Sequence, residues 1–86
     1  MVIYISNNKL GTTLRRRRVL AGFTLRELSL KSGISSTHIG RIERGERFPS
    51  AHTLLRIAKS LDLANNELLT LVGFLFADHP SLYRRP

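Results

Sequence analysis

The sequence predicts an all-α domain of five short helices, and three observations predict it. Apolar residues recur three and four apart, as in Leu10 and Leu14 or in Leu54, Ile57, Ala58 and Leu61, the period of a helix with one buried face. Gly22, Gly33 and Gly45 each fall where such a stretch stops, the place for a left-handed residue that closes a helix. Thr24, Ser35 and Ser50 stand where the next stretch starts, and their hydroxyls suit helix N-caps. At 86 residues the chain makes one domain with a core just large enough to fold alone. The domain is expected over residues 9–77, between an N-terminal arm (1–8) and a C-terminal tail (78–86).

The arm, Met-Val-Ile-Tyr-Ile-Ser-Asn-Asn, opens with β-branched and aromatic residues and ends in turn formers. It reads either as a frayed or loosely packed terminus or as a strand exchanged between subunits. The first helix is expected from Leu10 to Ala21, with Leu10, Leu14, Arg18 and Ala21 facing inward. An arginine in that stripe needs a carboxylate partner, since an unpaired buried guanidinium is costly. Glu43, one turn beyond Ile39 on the inward side of the third helix, is the candidate. The alternative is that Arg18 reaches solvent and Glu43 lies on the surface.

Residues 24–45 carry the most information. Thr24 and Glu27 have the spacing of a reciprocal capping box, Leu25 and Leu28 form an inward stripe, and Gly33 closes the second helix. Ile34 plugs the turn. Ser35 caps the third helix, whose Ile39 and Ile42 face the core until Gly45. Two helices joined by so short a turn form a helix-turn-helix, a motif whose second helix can enter a DNA major groove. Pro49 biases Phe48 away from helix and Ser50 caps the fourth helix. The fifth is expected from Asn65, as its cap, to about Ala77, with Glu67 favourable at its positive end.

The formal charge of +8 combines fourteen basic with six acidic residues, and eleven of the basic ones are arginine. Arginine binds phosphate and guanine bidentately, so this balance suits a nucleic-acid partner. A basic surface that is merely solvated, or drawn to a membrane, is the plainer alternative. Cysteine is absent, which excludes disulfides and thiolate metal sites. His38, His52 and His79 are too far apart for a local metal motif, and no paired carboxylates, glycine-rich phosphate loop or activated nucleophile suggest catalysis. An enzyme is not expected, and neither is a cofactor or metal. The apolar run from Leu68 to Ala77 is far below the ~20 residues that cross a bilayer, and nothing resembles a signal peptide. The expected setting is the bacterial or phage cytoplasm.

The ordered run Leu10-Gly11, Leu14-Arg15, Arg18, Ala21 to Leu28, Gly33-Ile34-Ser35, Ile39, Ile42 to Gly45, Arg47, Pro49-Ser50, Thr53-Leu54, Ile57-Ala58, Leu61 and Glu67-Leu68-Leu69 resembles the Cro/repressor type of helix-turn-helix domain, also called Xre-like. The resemblance covers about residues 9–75. It implies a compact five-helix lambda-repressor-like fold and a DNA-binding regulator of transcription, usually a dimer on a palindromic operator. It further implies that Ser36, Thr37 and Arg41 reach base edges, with Arg41 suited to guanine; the alternatives for Arg41 are a phosphate contact or a solvated charge. Ser35, His38 and Gly40 are further possible groove positions. Phosphate contacts are implied at Arg15, Thr24, Leu25, Arg44, Arg47 and Thr53. Leu25 stands where the family often has a polar residue, so any contact there would come from its backbone amide.

The fifth helix carries seven apolar residues in nine positions, Leu68 to Phe76, more than one buried stripe requires. The surplus suggests a homodimer face at Leu71, Phe74 and Leu75, unless the arm and the Leu82-Tyr83 tail cover it. A different function also fits: an antitoxin-like module that binds DNA and holds a protein partner on this helix.

Overall fold

Helix α1 spans Ile5–Leu20, α2 Leu25–Ser32, α3 Ser36–Glu43, α4 Ala51–Ser60 and α5 Asn65–Asp78 in the computed structural model. It describes residues 5–78, with side chains over 9–64 and 66–73. The stripes that the sequence sets at helical spacing meet in one core of Leu10, Leu14, Leu28, Ile39, Ile42, Leu54, Ile57, Leu61 and Leu71. Helix α1 packs on α3 and α5, α2 on α3 and α4, and α4 on α5.

Three helix starts are fixed by the hydroxyls read from the sequence. Thr24, Ser35 and Ser50 accept the N–H groups of Glu27, His38 and Thr53, each at 3.0 Å. Three helix ends close by the same device, in which the chain turns left-handed and two amides reach back to carbonyls of the last turn. After α3, Gly45 (φ 76°) donates to Ile42 and Glu46 to Arg41. After α1, Gly22 donates to Val19 and Phe23 to Arg18; after α4, Asp62 donates to Lys59 and Leu63 to Ala58. Asp62 takes this conformation with a side chain, at φ 57°. The end of α2 also turns left-handed, at Gly33 (φ 76°), as expected, but with one amide reaching back, Gly33 to the Ser29 carbonyl at 2.9 Å, and the Arg56 Nε of α4 adds a bond to the Ser32 carbonyl at 2.9 Å.

Helix α1 crosses the end of α3 at Gly11. A Cβ there would lie 2.3 Å from the Ile42 carbonyl oxygen and 2.6 Å from that of Glu43, so the two backbones meet with no room for a side chain. Beside this crossing, Arg18 and Glu43 form the buried pair. Arg18 Nε donates to Glu43 Oε2 at 2.7 Å, Nη2 to Oε1 at 3.0 Å, and Nη1 to the Phe23 carbonyl at 2.8 Å. The hydrogen bond to Glu43 raises the Arg18 pKa above its ordinary value. On the far side of α1, Arg17 pairs with Glu67 of α5.

Several expectations are corrected. The helix begins at Ile5, so residues 5–8 of the expected arm are helical. Once Leu10 and Leu14 anchor a helix, each added residue costs little, and this cooperativity overrides the turn preference of the asparagines. Residues 1–4 lie outside the described residues, as does most of the expected tail. Ala21 is exposed because the chain has already left α1 for its closing turn. Asn65 is the first residue of α5, and the amide of Ala64 before it donates to Glu67 Oε1 at 3.2 Å. The helix runs through Asp78, one residue past the expected end.

Candidate nucleic-acid interface

Helix α3 is held by its inner face. Ile39, Gly40, Ile42 and Glu43 are buried, leaving Ser36, Thr37 and Arg41 exposed and His38 half-buried. Ser36, Thr37 and Arg41 therefore project together from an anchored helix, a hydroxyl pair near its start and a guanidinium one turn later. Ser35 is also exposed, but its Oγ accepts the His38 amide, so what it retains for a ligand is its O–H.

The start of α2 lies alongside. Its capping box is complete, with Thr24 Oγ1 accepting from the Glu27 amide and the Thr24 amide donating to Glu27 Oε1 at 2.8 Å. Two of the four N–H groups that a helix leaves unpaired at its start are thus satisfied internally, and those of Leu25 and Arg26 remain for a ligand. Thr24 can contribute its hydroxyl hydrogen but not its amide. The Leu25 side chain packs against the core, so a contact from this residue falls to its backbone.

Two open depressions flank Leu25. One is lined by Leu25, Arg26, Ser36, Thr37, Gly40 and Arg44. The other brings Arg15 beside Leu25, Gly40 and Arg44, above the Arg18–Glu43 pair. Gly40, expected as a possible groove position, is instead buried. A Cβ built there would come 3.7 Å from a Leu25 methyl and 3.1 Å from Arg44 Nη1, so α2 and Arg44 cover it. Arg26, which the sequence does not single out, is exposed beside Ser36 and Thr37, and its one signal in the sequence is its place in the first turn of α2.

Arg44 and Arg47 are exposed on either side of the turn that closes α3. Arg44 is held by Glu46, Nε to Oε2 at 2.8 Å and Nη2 to Oε1 at 3.3 Å. These bonds hold the Glu46 carboxyl below its ordinary pKa and raise that of Arg44. Thr53 stands apart from both depressions, and its Oγ1 accepts from the Ser50 hydroxyl at 3.1 Å in the cap of α4. Of the residues expected at a dimer face, Leu71 belongs to the chain's own core at 1% exposure, because α5 turns this residue toward α1 and α4. The side chains of Phe74 and Leu75 lie outside the described residues.

Residues 14–64, which contain α2, α3 and the residues lining both depressions, match the helix-turn-helix family HTH_3. The chain belongs to that family. It is 35% identical over 74 residues to an uncharacterized HTH-type transcriptional regulator of Mycobacterium tuberculosis, a match covering 86% of this chain and 53% of that protein. It thus spans about half the length of that relative. The HTH-type regulator YazB of Bacillus subtilis is 38% identical over 58 residues, 67% of this chain and 84% of YazB. An HTH_3 family transcriptional regulator from Vibrio cholerae has a similar crystal structure, with a TM-score of 0.67 at 28% identity, covering 92% of this chain and 40% of that one. The HTH_3 domain is the kind that DNA-binding transcriptional regulators carry. Among the described residues, no helix is long and apolar enough to cross a membrane.

Proposed function

We propose that this HTH_3 chain is a sequence-specific regulator of transcription, acting as a repressor, that places α3 in the major groove of double-stranded DNA. The joint projection of Ser36, Thr37 and Arg41 from a helix anchored by Ile39, Ile42 and Glu43 carries this reading. Serine and threonine hydroxyls can donate to or accept from base edges, and Arg41 can hold guanine O6 and N7. Arg15, Arg44, Arg47 and the free amides at the start of α2 position the body on phosphate.

The protein acts as a homodimer on a palindromic operator in this reading, with half-sites about 34–36 Å apart. Support comes from α5, where Leu69 is 69% exposed although Leu71 is already in the core. The test is selection of bound sequences from a random duplex pool at physiological salt. A palindrome with half-sites about one helical turn apart is expected. Arg41→Ala should then lose roughly 1–3 kcal/mol at one base position. Arg47→Ala should weaken every sequence alike and flatten the dependence of log K on log salt by about 0.9. Absence of any enriched sequence, or equal losses for both variants on all sequences, would overturn the assignment.

A further inference from the structure

The basic surface around α3 contains one acid whose position helix stability does not explain. Glu46 follows the left-handed Gly45, and its amide donates to the Arg41 carbonyl at 2.9 Å, so its backbone is fixed by the turn that closes the helix. A carboxylate at a helix C-terminus faces the negative end of the macrodipole, which is mildly unfavourable. Its side chain instead grips Arg44 through both carboxylate oxygens. That is the same planar, two-point geometry by which arginine takes a phosphate. Arg44 and Glu46 remain more than half exposed, at 58% and 53% of their side chains, so a phosphate can reach the guanidinium and the carboxylate can swing away.

We propose that Glu46 is an intramolecular competitor for phosphate, occupying the Arg44 guanidinium in the free protein and thereby lowering DNA affinity by a similar factor on every sequence. The inference rests on the DNA-binding reading above. A phosphate that takes Arg44 must displace a like-charged group already hydrogen-bonded there. The displaced carboxylate stays close, because its backbone is tied to α3 through the Arg41 carbonyl. The brake acts on backbone contacts, so it sets overall affinity and leaves discrimination between bases to other residues.

The test is a double-mutant cycle with Glu46→Gln, Arg44→Ala and both together, titrated against the selected operator and a random-sequence duplex over a range of salt. Thermal unfolding of each variant checks that it is folded. Glu46→Gln should tighten both duplexes by about two- to fivefold, the factor an exposed ion pair is worth, and steepen the salt dependence by up to about one phosphate contact. In the Arg44→Ala background the gain should vanish. Arg44→Lys, which keeps the charge but not the fork, should shrink it. An equal gain with and without Arg44 would overturn the proposal, because Glu46 would then act as a general negative charge. A gain on the operator alone would also overturn it, since Glu46 would then be part of base recognition. If the unaltered chain bound neither duplex, the DNA-binding reading would fail and this inference with it.

Discussion

Replacing Glu43 by alanine should cost this domain a large share of its stability, by an amount that follows from how the residue is buried. The Glu43 side chain is 5% exposed and that of Arg18 11%, so water reaches neither group well. Truncation removes the acceptors of Arg18 Nε and Nη2 and leaves Nη1 alone with the Phe23 carbonyl. The guanidinium cannot shed its proton at any ordinary pH, so the charge stays buried without its counter-ion. Breaking a buried pair in this way costs about 3–5 kcal/mol, against a total of roughly 5–15 kcal/mol for a folded domain. At 4–8 °C per kcal/mol for a domain of this size, the midpoint should fall by roughly 12 °C or more. Urea unfolding at constant slope, with thermal circular dichroism, reads both quantities. The double variant Arg18→Met/Glu43→Leu removes both charges at similar volume and should recover most of the loss. A loss below about 1 kcal/mol for Glu43→Ala, the range of an exposed pair, would refute the reasoning.

Two substitutions test the backbone geometry. Gly11→Ala should destabilise the fold by about 1–3 kcal/mol through overpacking, although alanine is preferred to glycine in a helix by roughly 1 kcal/mol; unchanged or higher stability in urea would mean that α1 does not approach the Ile42 and Glu43 carbonyls as described. Asp62→Gly should raise stability by up to about 1 kcal/mol, since it relieves a left-handed side chain and removes an acid from the end of α4, while added freedom in the unfolded chain limits the gain. A clear fall in the melting temperature would reveal a stabilising role for the Asp62 side chain.

The sequence discloses those parts of the fold that rest on local rules. Thr24, Ser35 and Ser50 mark helix starts because a hydroxyl at that position satisfies an amide three residues on, whatever lies elsewhere. Arg18 and Glu43 can be read together because each occupies an inward position of its own helix, and a buried charge demands its opposite. The remainder depends on how helices are rotated and crossed. The apolar excess of α5 does not tell which residues face α1, and so Leu71 reads as available for a partner although it completes the core. Gly40 appears outward on α3 considered alone, and Leu25 from α2 covers it. Arg56 gives no local sign that it reaches the end of α2, a contact 24 residues distant. Asp62 gives none that it turns left-handed, because glycine, the usual marker, is missing there.

The crossing at Gly11 governs how the domain transmits force. Most helix pairs touch through side chains, which can change rotamer and absorb a displacement. Here α1 lies directly on the last carbonyls of α3, at a separation that leaves no compliant layer between them. The same α1 carries α5 on another face. Tilting α1 about that crossing would drive its backbone into the Ile42 and Glu43 carbonyls, so the place of α3 is tied to that of the helix that carries α5.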